Sequence, residues 1–111
     1  MKIAVYGTLK KGGNLDSNMY HIGAQFIESA RLNGFSMYNM GWYPAIINDP
    51  LGSITVEVYE IDENGLAHLD TVEGYPSLYQ RKETELGLIY YMEDKSRIQD
   101  KKQIEDGNWK V

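Results

Sequence analysis

The chain has 111 residues, of which 42% are hydrophobic and 24% charged, and these values are typical of one globular domain spanning residues 1–111. Its formal charge is −5 with dispersed lysines, which argues against nucleic-acid binding through a clustered basic surface. The absence of cysteine excludes disulfides and cysteine-containing zinc sites, and the two histidines lack a short metal-ligand spacing. No apolar run approaches the roughly 20 residues of a membrane span, so we expect a cytoplasmic protein.

The N-terminal segment predicts a buried strand followed by a short helix. Lys2–Tyr6 is apolar and β-branched, and Gly7 ends it. Asn14 can cap the helix that follows, and Gly23 is a plausible end for it.

The middle of the chain predicts four strands. Asn33-Gly34 is a strong turn dipeptide between the first two, and Asn48–Gly52 concentrates turn residues between the last two. In chain order the strands are Gln25–Leu32, Phe35–Tyr38, a run ending at Ile47, and Ile54–Ile61.

The last third begins with a predicted short helix that carries Glu73 near its end and stops at Gly74. Two further strands are predicted, Tyr79–Leu86 and Leu88–Met92. The charge-rich stretch Glu93–Asp106 is interpreted as a solvated helix or loop, with partner binding as the minor alternative. We expect Trp109 to pack back on the body of the domain.

The Tyr6-Gly7-Thr8-Leu9 turn is the first candidate for chemistry. A strand that stops at a glycine leaves successive backbone N–H groups unpaired, and such groups can bind a carboxylate or an oxyanion. The alternative is an ordinary strand-ending turn.

Glu73 is the second candidate. It follows an apolar helix face and precedes Gly-Tyr-Pro, where burial would raise its pKa toward the value that a general acid and base needs near neutrality. A solvated carboxylate at a helix end is the alternative. Asp70 is a rival carboxylate, to which we give less weight as a helix-surface or capping group.

Together these pieces resemble the γ-glutamylcyclotransferase-like proteins, in particular their γ-glutamylamine cyclotransferase branch. The similar segments occur in order along nearly the whole chain: Val5-Tyr6-Gly7-Thr8-Leu9-Lys10-Lys11-Gly12 with Asn14, Gly41, Tyr43-Pro44-Ala45, Glu57-Val58-Tyr59, Leu69-Asp70, Glu73-Gly74, Tyr79-Gln80-Arg81 and Gly107-Asn108-Trp109. Three departures stand out: Val56 replaces a frequent glycine, which would narrow the pocket, Leu88-Ile89 replaces a small-aromatic pair, and Asn108 replaces an aspartate.

The resemblance implies an α+β fold, a small mixed β-barrel with short surrounding helices and a ligand cavity at its mouth. It implies that Tyr6, Gly7, Thr8 and Leu9 hold a γ-glutamyl substrate and that Glu73 is the catalytic acid and base, without a metal or cofactor. The expected products are 5-oxoproline and a free amine. The alternative is a non-catalytic module that binds a small metabolite in the same cavity.

Roles for three further residues stay open at this stage. Tyr6 and Tyr79 either orient Glu73 and the substrate through their hydroxyls or wall the pocket with their rings, and we include Tyr79 among the substrate-binding residues. Arg81 pairs either with a ligand carboxylate or with a strand carboxylate such as Glu83, and the second role is favoured.

Overall fold

The computed structural model describes all residues from 1 to 111. None of its helices is both long enough and apolar enough to cross a membrane. The elements are β1 (Lys2–Val5), α1 (Ser17–His21), β2 (Gln25–Asn39), β3 (Pro44–Glu60), α2 (Glu63–Glu73), β4 (Gln80–Thr84), β5 (Gly87–Tyr91), a 3₁₀ helix (Lys95–Ile98) and β6 (Lys102–Ile104).

The strands form one six-stranded sheet in the order β4-β5-β1-β3-β2-β6. All neighbours are antiparallel except β1 and β5. The predicted α+β class is confirmed, but the predicted barrel is wrong in its closure, because β4 and β6 lie at opposite edges of the sheet. A hydrogen bond from the Met92 N–H to the Ile46 carbonyl (2.8 Å) joins the end of β5 to the first half of β3, so the sheet curls without joining its edges.

The β2–β3 hairpin overrides two predicted turns. Asn33-Gly34 lies inside β2, and residues 49–52 lie inside β3. The pairing shifts there from Phe35 opposite Asn48 to Asn33 opposite Ser53, so β3 carries three extra residues in a bulge. Pairing along two long strands therefore absorbs the turn-forming residues as a local distortion of the ladder.

Two hydrophobic clusters cover the two faces of β1. Ile3 and Val5 belong to the first cluster, together with Met19 of α1 and Leu69 of α2. Ala4 and the following Tyr6 belong to the second cluster, with the inner residues of the β2–β3 hairpin. Because successive side chains of a strand point to opposite faces, β1 is buried on both sides and holds the turn that follows it firmly.

The ends of two predicted elements differ from expectation. Helix α1 starts after Asp16, so Asn14 lies in the preceding loop and does not cap it. The stretch from residue 93 to 106 contains the 3₁₀ helix and β6 as well as exposed loop, since Ile104 pairs opposite Met37 at the sheet edge. The packing of Trp109 is confirmed, because its side chain contacts the second cluster.

Candidate active site

A cavity of about 360 Å³ opens where β1 ends, beside the β2–β3 connection and the C-terminal end of α2. Sixteen residues line it, and eleven of these are hydrophobic. All six site residues predicted from the sequence are among them: Tyr6, Gly7, Thr8, Leu9, Glu73 and Tyr79. The fold thus brings the two candidate segments, 64 or more residues apart in sequence, to one concave site.

The Tyr6–Leu9 turn presents unpaired backbone donors. None of its four N–H groups donates a hydrogen bond to a protein acceptor, whereas the Gly7 carbonyl accepts from the Lys10 N–H (3.0 Å) and the Thr8 carbonyl from the Leu15 N–H (2.9 Å). Most of the turn is buried. All four residues line the cavity, and backbone donors without a protein acceptor can bind an anion or an oxyanion.

Two glycines make this turn possible. A Cβ atom at Gly7 would lie 2.7 Å from the Cγ atom of Pro44, which lines the same cavity. A Cβ atom at Gly13 would overlap the Thr8 carbonyl. The backbone at Gly7 therefore approaches Pro44, and the backbone at Gly13 approaches the Thr8 carbonyl, more closely than a side chain at either position would allow.

Two lysines anchor the far end of the turn. The buried Lys10 ammonium donates to Asn108 Oδ1 (3.0 Å) and to the Trp109 carbonyl (2.8 Å), and burial lowers the pKa of Lys10. The Lys11 N–H donates to Glu57 Oε1 (2.9 Å), and Glu57 also accepts from the Tyr59 hydroxyl. The C-terminal segment and β3 thus hold the turn in place.

Glu73 is the last residue of α2, which ends as predicted where Gly74 adopts a left-handed conformation (φ 67°). Its half-buried carboxyl group faces the cavity, and burial raises its pKa from 4.5 to about 7. No hydrogen bond or neighbouring charge offsets this effect. The negative end of the helix dipole acts in the same direction, because it disfavours an anion.

Tyr6 and Tyr79 lie next to Glu73. Burial is the main cause that raises the pKa of both phenols, and the charge of Glu73 adds to it in each case. Their rings are buried and line the cavity. Both residues therefore form cavity wall, and their hydroxyls stay protonated at neutral pH.

Asp70, the rival carboxylate, is fully engaged in a polar cluster that we call the Asp70 cluster (Asp70, Arg81 and Tyr90). Arg81 donates to both carboxylate oxygens of Asp70 (2.9 and 3.2 Å), and the Tyr90 hydroxyl donates to one of them (2.6 Å). The Arg81 guanidinium also stacks 4.2 Å from the centre of the Tyr75 ring. The expected partner of Arg81, Glu83, was wrong, because α2 brings Asp70 to β4 across the sheet edge.

Sequence reasoning missed several residues that line the cavity, and it misplaced one. Val56, expected to narrow the pocket, is fully buried in the second cluster and does not line the cavity. Tyr43 belongs to one of the segments that carry the resemblance, and it also lines the cavity. The lining residues not predicted include Asn14, Leu15, Trp42, Pro44, Val72, Leu78 and Tyr90.

The two histidines, distant in sequence, are neighbours in the fold. The ring centres of His21 and His68 are 5.2 Å apart, and His68 Nε2 is 2.8 Å from Asn18 Oδ1. No group of three or more His, Cys, Asp or Glu side chains is arranged to hold a metal ion. Of the two Tyr-Pro bonds, only Tyr75-Pro76 is cis.

Comparison with known proteins gives the family. The model of the family described as "Gamma-glutamyl cyclotransferase, AIG2-like" matches residues 3–111. The chain belongs to this family. The resemblance read from the sequence is thereby confirmed over nearly the whole chain, and with it, at the level of the family, the expectation of a cyclotransferase-type enzyme.

Relatives of this γ-glutamyl cyclotransferase family member are similar in sequence and fold. The γ-glutamylcyclotransferase family protein YtfP of Escherichia coli K12 is 30% identical, with 98% of this chain and 96% of that protein covered. Gamma-glutamylaminecyclotransferase A of Danio rerio is 35% identical, with 80% of this chain and 60% of that protein covered. A crystal structure of the Pyrococcus horikoshii protein PH0828 superposes with a TM-score of 0.78 at 26% identity, covering 97% of this chain and 88% of that one.

Proposed function

We propose that the protein is a cyclotransferase that converts a γ-glutamyl amine or amide into 5-oxoproline and a free amine, with Glu73 as the acid and base. One observation carries the proposal: a half-buried carboxyl group with its pKa raised to about 7 shares a cavity with four unpaired backbone donors. Family membership supports the same reaction class.

The Tyr6–Leu9 turn is the binding element in this proposal. A γ-glutamyl group carries an α-carboxylate and a γ-carbonyl oxygen, and both are hydrogen-bond acceptors. Four free N–H groups are enough to bind the carboxylate and to stabilise the oxyanion that forms at the γ-carbonyl. The buried rings of Tyr6 and Tyr79 exclude water from the folded glutamyl chain.

The reaction removes two protons from the substrate's α-nitrogen and delivers protons to the leaving nitrogen. Glu73 takes the first proton from the α-ammonium group, and the free amine attacks the γ-carbonyl carbon to close a five-membered ring. The bond to the leaving nitrogen breaks as protonated Glu73 gives its proton to that nitrogen, and the second proton passes from the ring nitrogen through the regenerated Glu73 carboxylate to the released amine. Because nucleophile and electrophile belong to one molecule, holding the folded conformer supplies a large effective molarity.

The pKa of Glu73 suits both halves of this cycle. A carboxyl group with a pKa of about 7 is a stronger base than an exposed glutamate and, once protonated, still an acid near neutral pH. We therefore expect kcat/KM to rise with pH through a midpoint near 7, where Glu73 of the free enzyme ionises. Measured pH profiles of 5-oxoproline release test this limb directly.

The decisive experiment follows 5-oxoproline release from γ-glutamyl amines, γ-glutamyl dipeptides and γ-glutamyl-ε-lysine by the wild-type protein and by Glu73→Gln. Loss of the general acid and base should lower kcat on the order of 10²- to 10⁴-fold, with substrate binding retained. Glu63→Gln is the matched control, because Glu63 is an exposed carboxylate at the other end of α2.

The outcomes separate the two functions considered from the sequence. Turnover that Glu73→Gln abolishes and Glu63→Gln leaves intact supports the enzyme. Binding of γ-glutamyl compounds by the wild-type protein without product at any pH refutes it and favours a metabolite-binding module. Equal turnover by wild type and Glu73→Gln removes Glu73 from the mechanism.

A further inference from the structure

Three exposed apolar side chains border the cavity described above. Leu15, Trp42 and Leu78 all line it, with exposed fractions of 41%, 84% and 37%, and we call them the rim. They contrast with the deeper wall, where Tyr6 and Tyr79 are 8% and 4% exposed. The cavity thus has a buried end, which includes the turn, and an open end that is apolar.

The rim is built from three separate parts of the chain. Leu15 precedes α1, Trp42 occupies the tip of the β2–β3 hairpin, and Leu78 follows α2. Single exposed apolar residues are ordinary on protein surfaces, but a group from three segments around one opening marks a binding surface. Its position at the mouth makes it continuous with the site for the glutamyl group.

The charges around the cavity argue against an anionic group at the rim. No lysine, arginine or histidine lines the cavity, and its one carboxylate is Glu73. The Lys10 ammonium is held by Asn108 and Trp109, and Lys10 does not line the cavity. The charge of Arg97 reaches Tyr79, but Arg97 itself is exposed outside the lining. A second carboxylate on the substrate would therefore have no cationic side chain among the lining residues to pair with.

We propose that the rim binds the substituent of the leaving amine. The preferred substrates are then γ-glutamyl derivatives of amines with an uncharged, apolar substituent, such as alkyl or arylalkyl amines. Trp42 determines this specificity. The inference rests on the proposed cyclotransferase function and specifies its substrate class. The glutamyl half takes the polar turn, and the apolar half of the substrate covers the rim.

The test uses a substrate series in which only the leaving amine changes. The γ-glutamyl derivatives of methylamine, propylamine, pentylamine and 2-phenylethylamine vary the apolar area, and in the derivative of 5-aminopentanoate a carboxylate replaces the terminal methyl group of the pentyl chain. We expect kcat/KM for 5-oxoproline release to rise about fourfold for each methylene that reaches the rim. The 5-aminopentanoate derivative should be at least about tenfold poorer than the pentylamine derivative.

Variants locate the effect. Trp42→Ala should bring the ratio of kcat/KM between the pentylamine and methylamine derivatives close to one, and Leu78→Ser should lower the same ratio. Leu51→Ala is the matched control, because Leu51 is 95% exposed and does not line the cavity, and its ratio should equal that of the wild type. Thermal unfolding of each variant verifies that it folds.

The outcomes distinguish this inference from the proposed function. Turnover of the methylamine derivative with no dependence on chain length, or a preference for the carboxylated substrate, overturns the rim proposal and leaves the cyclotransferase intact. An unchanged ratio in Trp42→Ala also overturns it. Failure of every γ-glutamyl compound to yield 5-oxoproline overturns both.

Discussion

Asp70 and Glu73 lie within one turn of α2, yet their carboxyl groups differ in hydrogen bonding. Asp70 accepts three hydrogen bonds from Arg81 and Tyr90. Glu73 has no such partner, and the N–H groups of the facing turn have none either. Asp70 and Glu73 are both half-buried, so the difference is not one of exposure.

The contrast separates a carboxylate that is fully paired within the fold from one that has no protein partner. A shielded polar group without a partner costs free energy, and folded proteins usually pair such groups. Tyr90 illustrates the division, because its hydroxyl belongs to the Asp70 cluster while the residue also lines the cavity. The paired region connects the end of α2 to β4 and β5, and the unpaired one contains the donors and the carboxyl group on which the proposed function depends.

The largest effect should come from removing the unpaired charge. The pKa of Glu73 is about 7 in the folded protein, against an ordinary value of 4.5. Between these two pH values Glu73 is ionised in the unfolded chain but protonated in the folded protein, so the free energy of unfolding falls as pH rises. At about 1.4 kcal/mol per pH unit, Glu73→Gln should be up to about 3 kcal/mol more stable than wild type at pH 8 and no more stable at pH 4. Urea unfolding at both pH values measures this, and parallel pH dependences for the two proteins would contradict it.

Breaking the paired region should have the opposite sign. Asp70→Asn loses the two-oxygen contact with Arg81 and one charge-assisted bond, so we expect a loss of about 2 kcal/mol in unfolding free energy. Glu83→Gln is the control, because Glu83 is an exposed carboxylate on the same strand as Arg81 and should change stability by less than about 0.5 kcal/mol. Equal effects of the two substitutions would mean that the Asp70 cluster contributes nothing special.

The shape of the unpaired turn can be tested through Gly7. A Cβ atom there would clash with Pro44, so Gly7→Ala should shift the backbone N–H groups of the turn. We expect kcat/KM to fall about tenfold, which corresponds to about 1.4 kcal/mol of transition-state stabilisation. In the Pro44→Ala background the same substitution should cost less, because the clashing ring is gone. Additive effects in this double-mutant cycle would refute the steric explanation.

The smallest effect concerns the anchor of the turn. Asn108→Asp gives the buried Lys10 ammonium a charged partner at the position of Asn108 Oδ1, and desolvation of the new carboxylate offsets part of the gain. We expect thermal and urea unfolding to show about 0.5 to 1 kcal/mol of added stability, decreasing with salt. The gain should vanish in a Lys10→Met background, and its persistence there would point to another cause.

The sequence was most informative where the signal was local. The short apolar run of β1, the stop at Gly7, and the helix that ends at Gly74 are determined by neighbouring residues, and the structure contains all three. The six candidate residues could be assigned to one site from the sequence, because the resemblance supplied the long-range information that periodicity lacks. Their assigned roles remain predictions.

The features that escaped prediction depend on contacts distant in sequence. The bonds from Lys10 to residues 108 and 109 span almost the whole chain. The turn predicted at Asn33-Gly34 does not form, because the pairing of β2 with β3 continues through these residues. β6 was missed because three residues in a charged segment become a strand only when an edge partner is available.

The central position of β1 bears on the order in which the molecule assembles. This strand is early in the chain, yet its neighbours in the sheet are β3 and the distant β5, whereas β2 and β3 pair as a local hairpin. Contacts between distant segments require the costly closure of long loops and therefore tend to form late. We therefore expect the donor-bearing turn to form late in folding, so that a ligand that binds it stabilises the native state and not a partly folded one.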